Sequence, residues 1–157
     1  ETLMVNTNTF QLFTAFKNSR AGYPLVVYLE GDGHSVSKRG IPSDDPTPFR
    51  PLALKLALLD HRPNVIYIAR PCQYIGTQND PYCEKRAWTT ERFSKQVVDS
   101  ILYAVEQYSQ QIPTTGIHWL GYSGGGGLAA LAASQSSQSL SLVTFAGDLD
   151  TVWMQHY

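Results

Sequence analysis

The stretch that decides the fold is Ile117-His-Trp-Leu-Gly-Tyr-Ser-Gly-Gly-Gly-Gly-Leu-Ala-Ala-Leu-Ala-Ala133. Its apolar first part, Ile117 to Tyr122, predicts a strand buried within a sheet. Its glycine- and alanine-rich last part, Gly124 to Ala133, predicts a helix packed closely on its neighbours. Ser123 lies at the turn between them, inside the pattern Gly-x-Ser-x-Gly of residues 121–125. A side chain at this turn points over the carboxyl ends of the strands, where ligands bind in α/β sheets.

The glycines around Ser123 have a steric explanation. In so sharp a turn, side chains two positions before and after the serine would collide, and glycine at 121 and 125 removes those collisions. The N–H of Gly124 lies at the start of the helix, where the helix dipole helps it to donate to a developing oxyanion. The pattern therefore predicts a nucleophilic serine with one oxyanion donor beside it.

Strands and helices alternate along the rest of the chain. Residues 25–29 and 65–69 are continuous apolar runs, typical of strands buried on both faces of a parallel sheet. Thr9 to Phe16 alternates apolar and polar residues and predicts a half-exposed strand. A further apolar strand, Leu140 to Ala146, follows the glycine-rich helix. This order predicts an α/β fold with a mostly parallel sheet and helices on both faces.

Two amphipathic helices are predicted between these strands. Within Phe49 to His61, the residues Leu52, Leu56 and Leu59 recur at helical spacing and suggest an apolar face. A longer amphipathic helix is expected to start near Thr90, whose side chain suits an N-cap.

Composition excludes several classes of function. Twelve basic and thirteen acidic residues give a formal net charge of -1, so we expect no nucleic acid as a partner. No apolar run approaches the ~18 residues of a membrane span, and the first residues do not resemble a signal peptide. Because the chain begins with Glu1, we expect a processed or trimmed form. Neither a metal nor a cofactor is expected.

Cys72 and Cys83 frame a short polar loop. Their spacing is too wide for a Cys-x-x-Cys redox motif and two cysteines are too few for a zinc site. A structural disulfide is the favoured interpretation, and it would stabilise the fold by roughly 3 kcal/mol. It implies a periplasmic, cell-envelope or secreted protein. The alternative is two unpaired buried thiols in a cytosolic protein.

Together these features resemble the α/β hydrolases, and the resemblance covers nearly the whole sequence. More narrowly, the chain resembles a group of bacterial envelope α/β hydrolases with a strand that ends in Glu-Gly-Asp-Gly, here residues 30–33. That group also carries the motifs found here at residues 45–48, 70–73 and 146–150. The resemblance implies hydrolysis of a small ester-like substrate through an acyl-enzyme on Ser123.

The resemblance also implies the surroundings of Ser123. The loop 30–33 would supply the second oxyanion donor, which we expect to be the N–H of Asp32, with Gly33 as the alternative. An acidic residue suits this place only if its charge points away from the oxyanion. His34 and Tyr122 are candidate substrate contacts.

A serine nucleophile requires a base and an acid, and α/β hydrolases place them in the order serine, acid, histidine. The 34 residues after Ser123 offer Asp148 as a possible acid and His156 as a weak candidate for the base. We therefore expect the base and acid beyond residue 157 or on another chain. Residues 1–157 would then be the N-terminal part of a single α/β-hydrolase domain without its C-terminal strands.

The strand from Leu140 to Ala146 supports the same expectation, because it is apolar on both faces and reads as a central strand. At a free edge it would leave unpaired backbone groups and uncovered hydrophobic side chains. We expect either a missing C-terminal segment or a second chain to pair with it.

Other functions remain open at this level. Gly124, Gly126 and Ala129 match the pattern Gly-x-Gly-x-x-Ala of dinucleotide-binding domains, and Asp148 lies near the expected ribose-binding position. A non-catalytic binding module on a hydrolase scaffold would carry the same turn. Thiol redox chemistry is disfavoured by the cysteine spacing.

Overall fold

A computed structural model describes residues 1–17, 20–76 and 79–150. The strands, in chain order, are β1 (Thr2–Asn6), β2 (Gln11–Lys17), β3 (Leu25–Leu29), β4 (Val65–Ile68), β5 (Ile117–Tyr122) and β6 (Ser139–Phe145). The helices are α1 (Leu52–Leu59), α2 (Lys95–Gln111) and α3 (Gly124–Gln135), and a single 3₁₀ turn spans Lys85–Trp88.

The described strands form one six-stranded sheet in the order β1-β2-β4-β3-β5-β6. β1, β2 and β4 pair antiparallel, whereas β4, β3, β5 and β6 run parallel. The carboxyl ends of the four parallel strands therefore lie at the same end of the sheet. This architecture confirms the predicted mostly parallel α/β sheet.

Helices cover both faces of the sheet. α1 lies on one face, against Tyr28 and Tyr67. α2 and α3 lie on the other, where the core includes the fully buried Trp119. Because both faces are covered, every residue of β3 and β4 is buried, which explains why their sequences are continuous apolar runs.

The helix predicted within residues 49–61 is present as α1, but the leucine face is wrong at two of its three positions, since only Leu56 packs against the core. Leu52 and Leu59 are 38% and 70% exposed, and the residues that α1 buries are Ala53 and Ala57. A methyl side chain lets the helix backbone approach the sheet closely, so the small residues face inward although the leucines are more hydrophobic.

The predicted start of α2 is also wrong. Ser94, not Thr90, is the N-cap, and its side chain accepts a hydrogen bond from the N–H of Val97 at 3.5 Å. Thr90 lies earlier, in turns that follow the 3₁₀ segment. The apolar stripe of the helix is confirmed, since Val97, Ile101 and Val105 are all buried. No helix in the described part of the chain is both long and apolar enough to cross a membrane.

Among the described strands, β6 lies at the edge of the sheet rather than at its centre. It pairs with β5 along one side. Its large apolar side chains are between 42% and 54% exposed: Leu140, Leu142, Val143 and Phe145. The expected pairing of its outer side stays a prediction, because this structure contains one chain.

Candidate active site

Ser123 occupies a strained turn between β5 and α3. Its φ of 51° and ψ of -127° lie in a backbone region that non-glycine residues rarely adopt. Two backbone hydrogen bonds from neighbouring segments hold it there. The N–H of Ser123 donates to the carbonyl of Phe145 at 2.9 Å, and its carbonyl accepts from the N–H of Asp148 at 3.1 Å. The backbone is therefore fixed in this conformation by the end of β6.

The crowding predicted at positions 121 and 125 is present. A Cβ added at Gly121 would lie 2.2 Å from the carbonyl oxygen of Gly125. One added at Gly125 would lie 2.4 Å from the carbonyl oxygens of Leu29 and Glu30. These neighbours are backbone atoms that cannot move aside, so the turn requires glycine at both positions.

The loop after β3 packs against the serine. A Cβ added at Gly31 would lie 3.2 Å from the Cβ of Ser123. Within the described residues, the N–H groups of Asp32 and Gly124 donate to no protein acceptor. Gly124 is the first residue of α3, so its N–H has no partner inside the helix. Asp32 follows the residue that packs on Ser123 and Gly124 follows Ser123 itself, so both of these N–H groups belong to residues next to the serine.

A pocket of about 410 Å³ opens above this arrangement. Its lining includes the predicted site residues Asp32, Gly33, His34, Tyr122 and Ser123, whereas Gly124 and Asp148 are not among the lining residues. Residues 48–50 also line it. The ring of Phe49, which is 84% exposed, lies 4.9 Å from the ring of His34.

The carboxylate of Asp32 binds a buried arginine. Nη1 of Arg70 donates to Oδ1 of Asp32, and Nε of Arg92 lies 3.7 Å from Oδ2. Both guanidinium groups pack on the ring of Phe93. Burial lowers the pKa of Arg70, and the charge of Asp32 opposes that shift. The negative charge of Asp32 is therefore compensated by cations, while its backbone stays at the pocket.

Asp148 lies close to the same group of charges. Burial raises the pKa of its carboxyl, the charge of Asp32 raises it further, and Arg92 and Arg70 oppose the shift. Its backbone contact with Ser123 places it at the turn. No described histidine is bonded to it.

The histidines have separate positions. Within the described residues, His34 is the histidine that lines the pocket. Nδ1 of His118 lies 2.8 Å from Oγ of Ser141, so this residue links β5 to β6. His156 lies outside the described residues.

The disulfide between Cys72 and Cys83 is present, with a Cα–Cα distance of 5.4 Å. It closes the loop that follows β4. No cysteine among the described residues is free.

Glu30 and Gln73 hold the loop 30–33 in place, and neither is among the site residues that the sequence predicts. Glu30 is 1% exposed, and its Oε1 accepts hydrogen bonds from the N–H groups of Gly31 at 3.1 Å and Ala53 at 3.4 Å. Gln73 is fully buried, and its Nε2 donates to the carbonyl of Gly31 at 2.9 Å. Both residues belong to the motifs at 30–33 and 70–73, and this membership is the signal in the sequence that points to them.

Solved structures resemble this chain over nearly its whole length. A protein of unknown function from Agrobacterium tumefaciens, described as an alpha/beta hydrolase candidate, is 12% identical with a TM-score of 0.68, and the match covers 96% of this chain and 62% of that one. For Est1E from Butyrivibrio proteoclasticus the identity is 17% and the TM-score 0.52, over 88% of this chain and 47% of that one. For the proline iminopeptidase of Mycobacterium smegmatis the identity is 20% and the TM-score 0.53, over 88% of this chain and 41% of that one.

The chain therefore has the α/β-hydrolase fold, and the expectation from the motifs is confirmed at that level. It spans about half the length of these three proteins, between 41% and 62%. No protein-family model matches the chain, and no curated protein sequence does.

Proposed function

Taking the α/β-hydrolase fold as premise, we propose that Ser123 is the nucleophile of a serine hydrolase that cleaves carboxylic esters. The observation that carries the proposal is one juxtaposition: the strained serine turn, two backbone N–H donors and a pocket meet at the carboxyl ends of β3 and β5. Acyl transfer through a serine needs these three elements in one place.

The reaction would proceed in two steps. The oxygen of Ser123 attacks the ester carbonyl, while a base takes the hydroxyl proton and the carbonyl oxygen becomes an oxyanion. The N–H groups of Gly124 and Asp32 stabilise that oxyanion, with Gly33 as the alternative donor in the loop. The alcohol leaves with a proton, and water then hydrolyses the acyl-enzyme. Each donor of this kind contributes about 10²–10³ to kcat.

We place the base and the acid of the reaction beyond residue 157 or on another chain. The alternative for the acid is Asp148, whose backbone N–H donates to the carbonyl of Ser123. An oxyanion hole and bound substrate alone retain about 10³–10⁴-fold acceleration over water. Residues 1–157 on their own are therefore expected to be inactive or very weak.

We also propose that a further segment or a second chain covers β6. The support is the row of half-exposed apolar side chains along this edge strand. Amide hydrogen exchange of residues 139–145 tests it by comparing the full-length protein with residues 1–157. Strong additional protection in the full-length protein would support pairing. Equal exchange in both, at a concentration where both are monomeric, would contradict it.

The substrate is proposed to be a small ester-like molecule. The pocket of about 410 Å³ suits a compact acyl group. His34 and Tyr122 line it beside Ser123 and are the proposed substrate contacts.

The atoms packed around the glycine run disfavour dinucleotide binding. In a dinucleotide site the glycines let a pyrophosphate approach the backbone. Here the Cα of Gly124 is covered by Asp32 and Arg70, that of Gly125 by the carbonyls of residues 29–30, and that of Gly126 by Gly147. Protein atoms occupy the space that the ligand would need.

An oxidising compartment, the periplasm, cell envelope or medium, is proposed for this protein. The support is the disulfide between Cys72 and Cys83.

The hydrolysis of p-nitrophenyl acetate by the full-length protein tests the proposed function. We expect turnover that is lost in Ser123→Ala. The control Ser141→Ala, which removes a hydroxyl from β6, should retain the turnover. Equal rates in Ser123→Ala and the parent would overturn the proposal. A folded full-length protein that turns over no ester or amide would instead favour the binding module.

A further inference from the structure

We propose that Gln73 is a positioning residue that aims the N–H of Asp32 at the oxyanion, and that the disulfide of Cys72 holds Gln73 in place. This inference rests on the proposed function, because it concerns the donor geometry of the same site.

The argument starts from the peptide between Gly31 and Asp32. This peptide is trans, as are all the described peptides, so the carbonyl of Gly31 and the N–H of Asp32 point in opposite directions from one plane. Nε2 of Gln73 donates to that carbonyl at 2.9 Å. Fixing the carbonyl therefore fixes the direction of the N–H. Gln73 is fully buried, whereas Asp32 lines the pocket, so the two ends of the peptide face the protein and the substrate respectively.

The orientation of the Gln73 amide is determined by its neighbours. Oε1 accepts from the backbone N–H of Arg70 at 3.1 Å, while Nε2 also lies 3.4 Å from the carbonyl oxygen of Pro46. Turning the amide over would set a donor against an N–H and an acceptor against two carbonyls. The side chain thus works as a fixed donor. A hydrogen bond to the carbonyl also polarises the peptide and strengthens its N–H as a donor.

The backbone around Gln73 is unusual. Cys72 and Tyr74, its two neighbours, have φ values of 72° and 66°, in the left-handed region that non-glycine residues rarely adopt. Such conformations persist only where the surroundings impose them, and they concentrate at functional sites. Here the disulfide ties down Cys72, and the N–H of Tyr74 donates to Oγ1 of Thr47 at 2.8 Å. Both flanks of Gln73 are therefore anchored.

Gln73→Glu tests the inference, because it keeps the shape of the side chain but sets a carboxylate against the carbonyl of Gly31. Asn64→Asp is the matched control. Asn64 is also a fully buried amide, and its Nδ2 donates to the carbonyls of Arg20 at 2.8 Å and Tyr23 at 3.2 Å. It precedes β4, at the end of the sheet opposite to Ser123. Gln73→Met is the second variant, which removes the donor without adding a charge and guards against failure of the first to fold.

The readout is the steady-state hydrolysis of p-nitrophenyl acetate by the full-length protein, with the melting temperature of each variant. We expect kcat to fall by about 10- to 100-fold in both Gln73 variants with KM little changed, as for a weakened oxyanion donor. Asn64→Asp should lower the melting temperature with kcat preserved. A purely structural role for Gln73 would give the pattern of the control.

The outcomes separate this inference from the proposed function. If Ser123→Ala retains turnover, or the parent has none, the proposed function fails and the inference fails with it. If Ser123 is essential but the folded Gln73 variants keep the kcat of Asn64→Asp, the inference alone is overturned.

Discussion

Arg70 donates from its guanidinium to the carboxylate of Asp32, and the pair packs directly on the Cα of Gly124. A Cβ at that position would lie 2.2 Å from Oδ1 of Asp32 and 2.6 Å from Nη1 of Arg70. Gly124 follows Ser123, so an ion pair lies immediately behind the proposed oxyanion donor. This arrangement explains how an acidic residue is compatible with the loop 30–33: Arg70 compensates a charge that would otherwise repel the oxyanion.

Substitution of Arg70 should therefore impair the proposed site, because the charge of Asp32 loses its compensation. In Arg70→Gln the carboxylate of Asp32 loses its main partner, and both stability and kcat should fall. Adding Asp32→Asn should recover part of both losses, with a coupling free energy of about 1–3 kcal/mol between the two residues. Urea unfolding and ester turnover of the four proteins measure it.

Arg39→Gln serves as the control, because Arg39 is exposed and has no role in the site. Strictly additive effects of the Arg70 and Asp32 substitutions would show that the ion pair is not coupled to stability or catalysis.

Gly125→Ala should destabilise the fold although alanine is the better helix former. Helix propensity alone predicts a gain of about 1 kcal/mol. The clash with the carbonyls of Leu29 and Glu30 should reverse the sign and cost about 1–3 kcal/mol, measured by urea unfolding. Ala130→Gly, in the same helix, reports the propensity effect without the crowding. A more stable Gly125→Ala would contradict the packing described for the turn.

The disulfide should contribute a large part of the free energy of unfolding. It closes a loop with a sequence separation of 11, for which the loss is about 3 kcal/mol in the chain-entropy model. The double variant Cys72→Ala/Cys83→Ala should show this loss in urea unfolding. Reduction with dithiothreitol should bring the parent to the level of the double variant and leave that variant unchanged. No response of the parent to reduction would contradict a stabilising bond.

Asp60 should make stability depend on pH at the acidic end. Burial alone would raise its pKa, but hydrogen bonds from Arg62 and from the hydroxyl of Tyr28 outweigh burial and lower the pKa to about 2. The ordinary pKa of this carboxyl is 3.8, so the folded protein holds the charged form more strongly than the unfolded chain. The resulting stability is present above pH ~4 and disappears as the pH falls through about 2.

The comparison of the parent with Asp60→Asn from pH 6 to pH 2 measures this contribution. Solvent screens the pair, because the side chain of Arg62 is 44% exposed, and about 1 kcal/mol is expected. The difference in unfolding free energy should shrink on acidification below pH 4. A difference that stays constant to pH 2 would show that the charge of Asp60 is not involved.

Local chemistry explains which parts of the fold could be predicted. The strands at Leu25–Leu29 and Val65–Ile68 are apolar throughout because both sheet faces are covered, and the turn at Ser123 has steric demands that only glycine meets. The start of α2 is not predictable from the local sequence, because a 3₁₀ segment and turns come before Ser94 and local capping preferences cannot distinguish Thr90 from Ser94. β1 has mostly exposed side chains and little periodicity, so its sequence does not predict a separate strand.

The sequence predicts the parts of the site whose residues lie together in one segment, and only those parts. The loop 30–33 and the serine turn each have a local pattern, whereas Gln73 and Arg92 act across the fold. Their partners are separated from them in sequence, by 42 residues for Gln73 and Gly31. The motif at 70–73 is visible in the sequence, but its contact with the loop 30–33 depends on how the disulfide loop folds back after β4. Such contacts depend on tertiary structure and leave no periodic pattern.

The most direct test of the central claim is covalent labelling of the full-length protein with a fluorophosphonate probe, followed by mass spectrometry of its peptides. The account predicts a single phosphonylated residue, Ser123, and no label in Ser123→Ala or in heat-unfolded protein. A folded full-length protein that takes no label, or takes it equally when Ser123 is alanine, would contradict the assignment of Ser123 as the nucleophile.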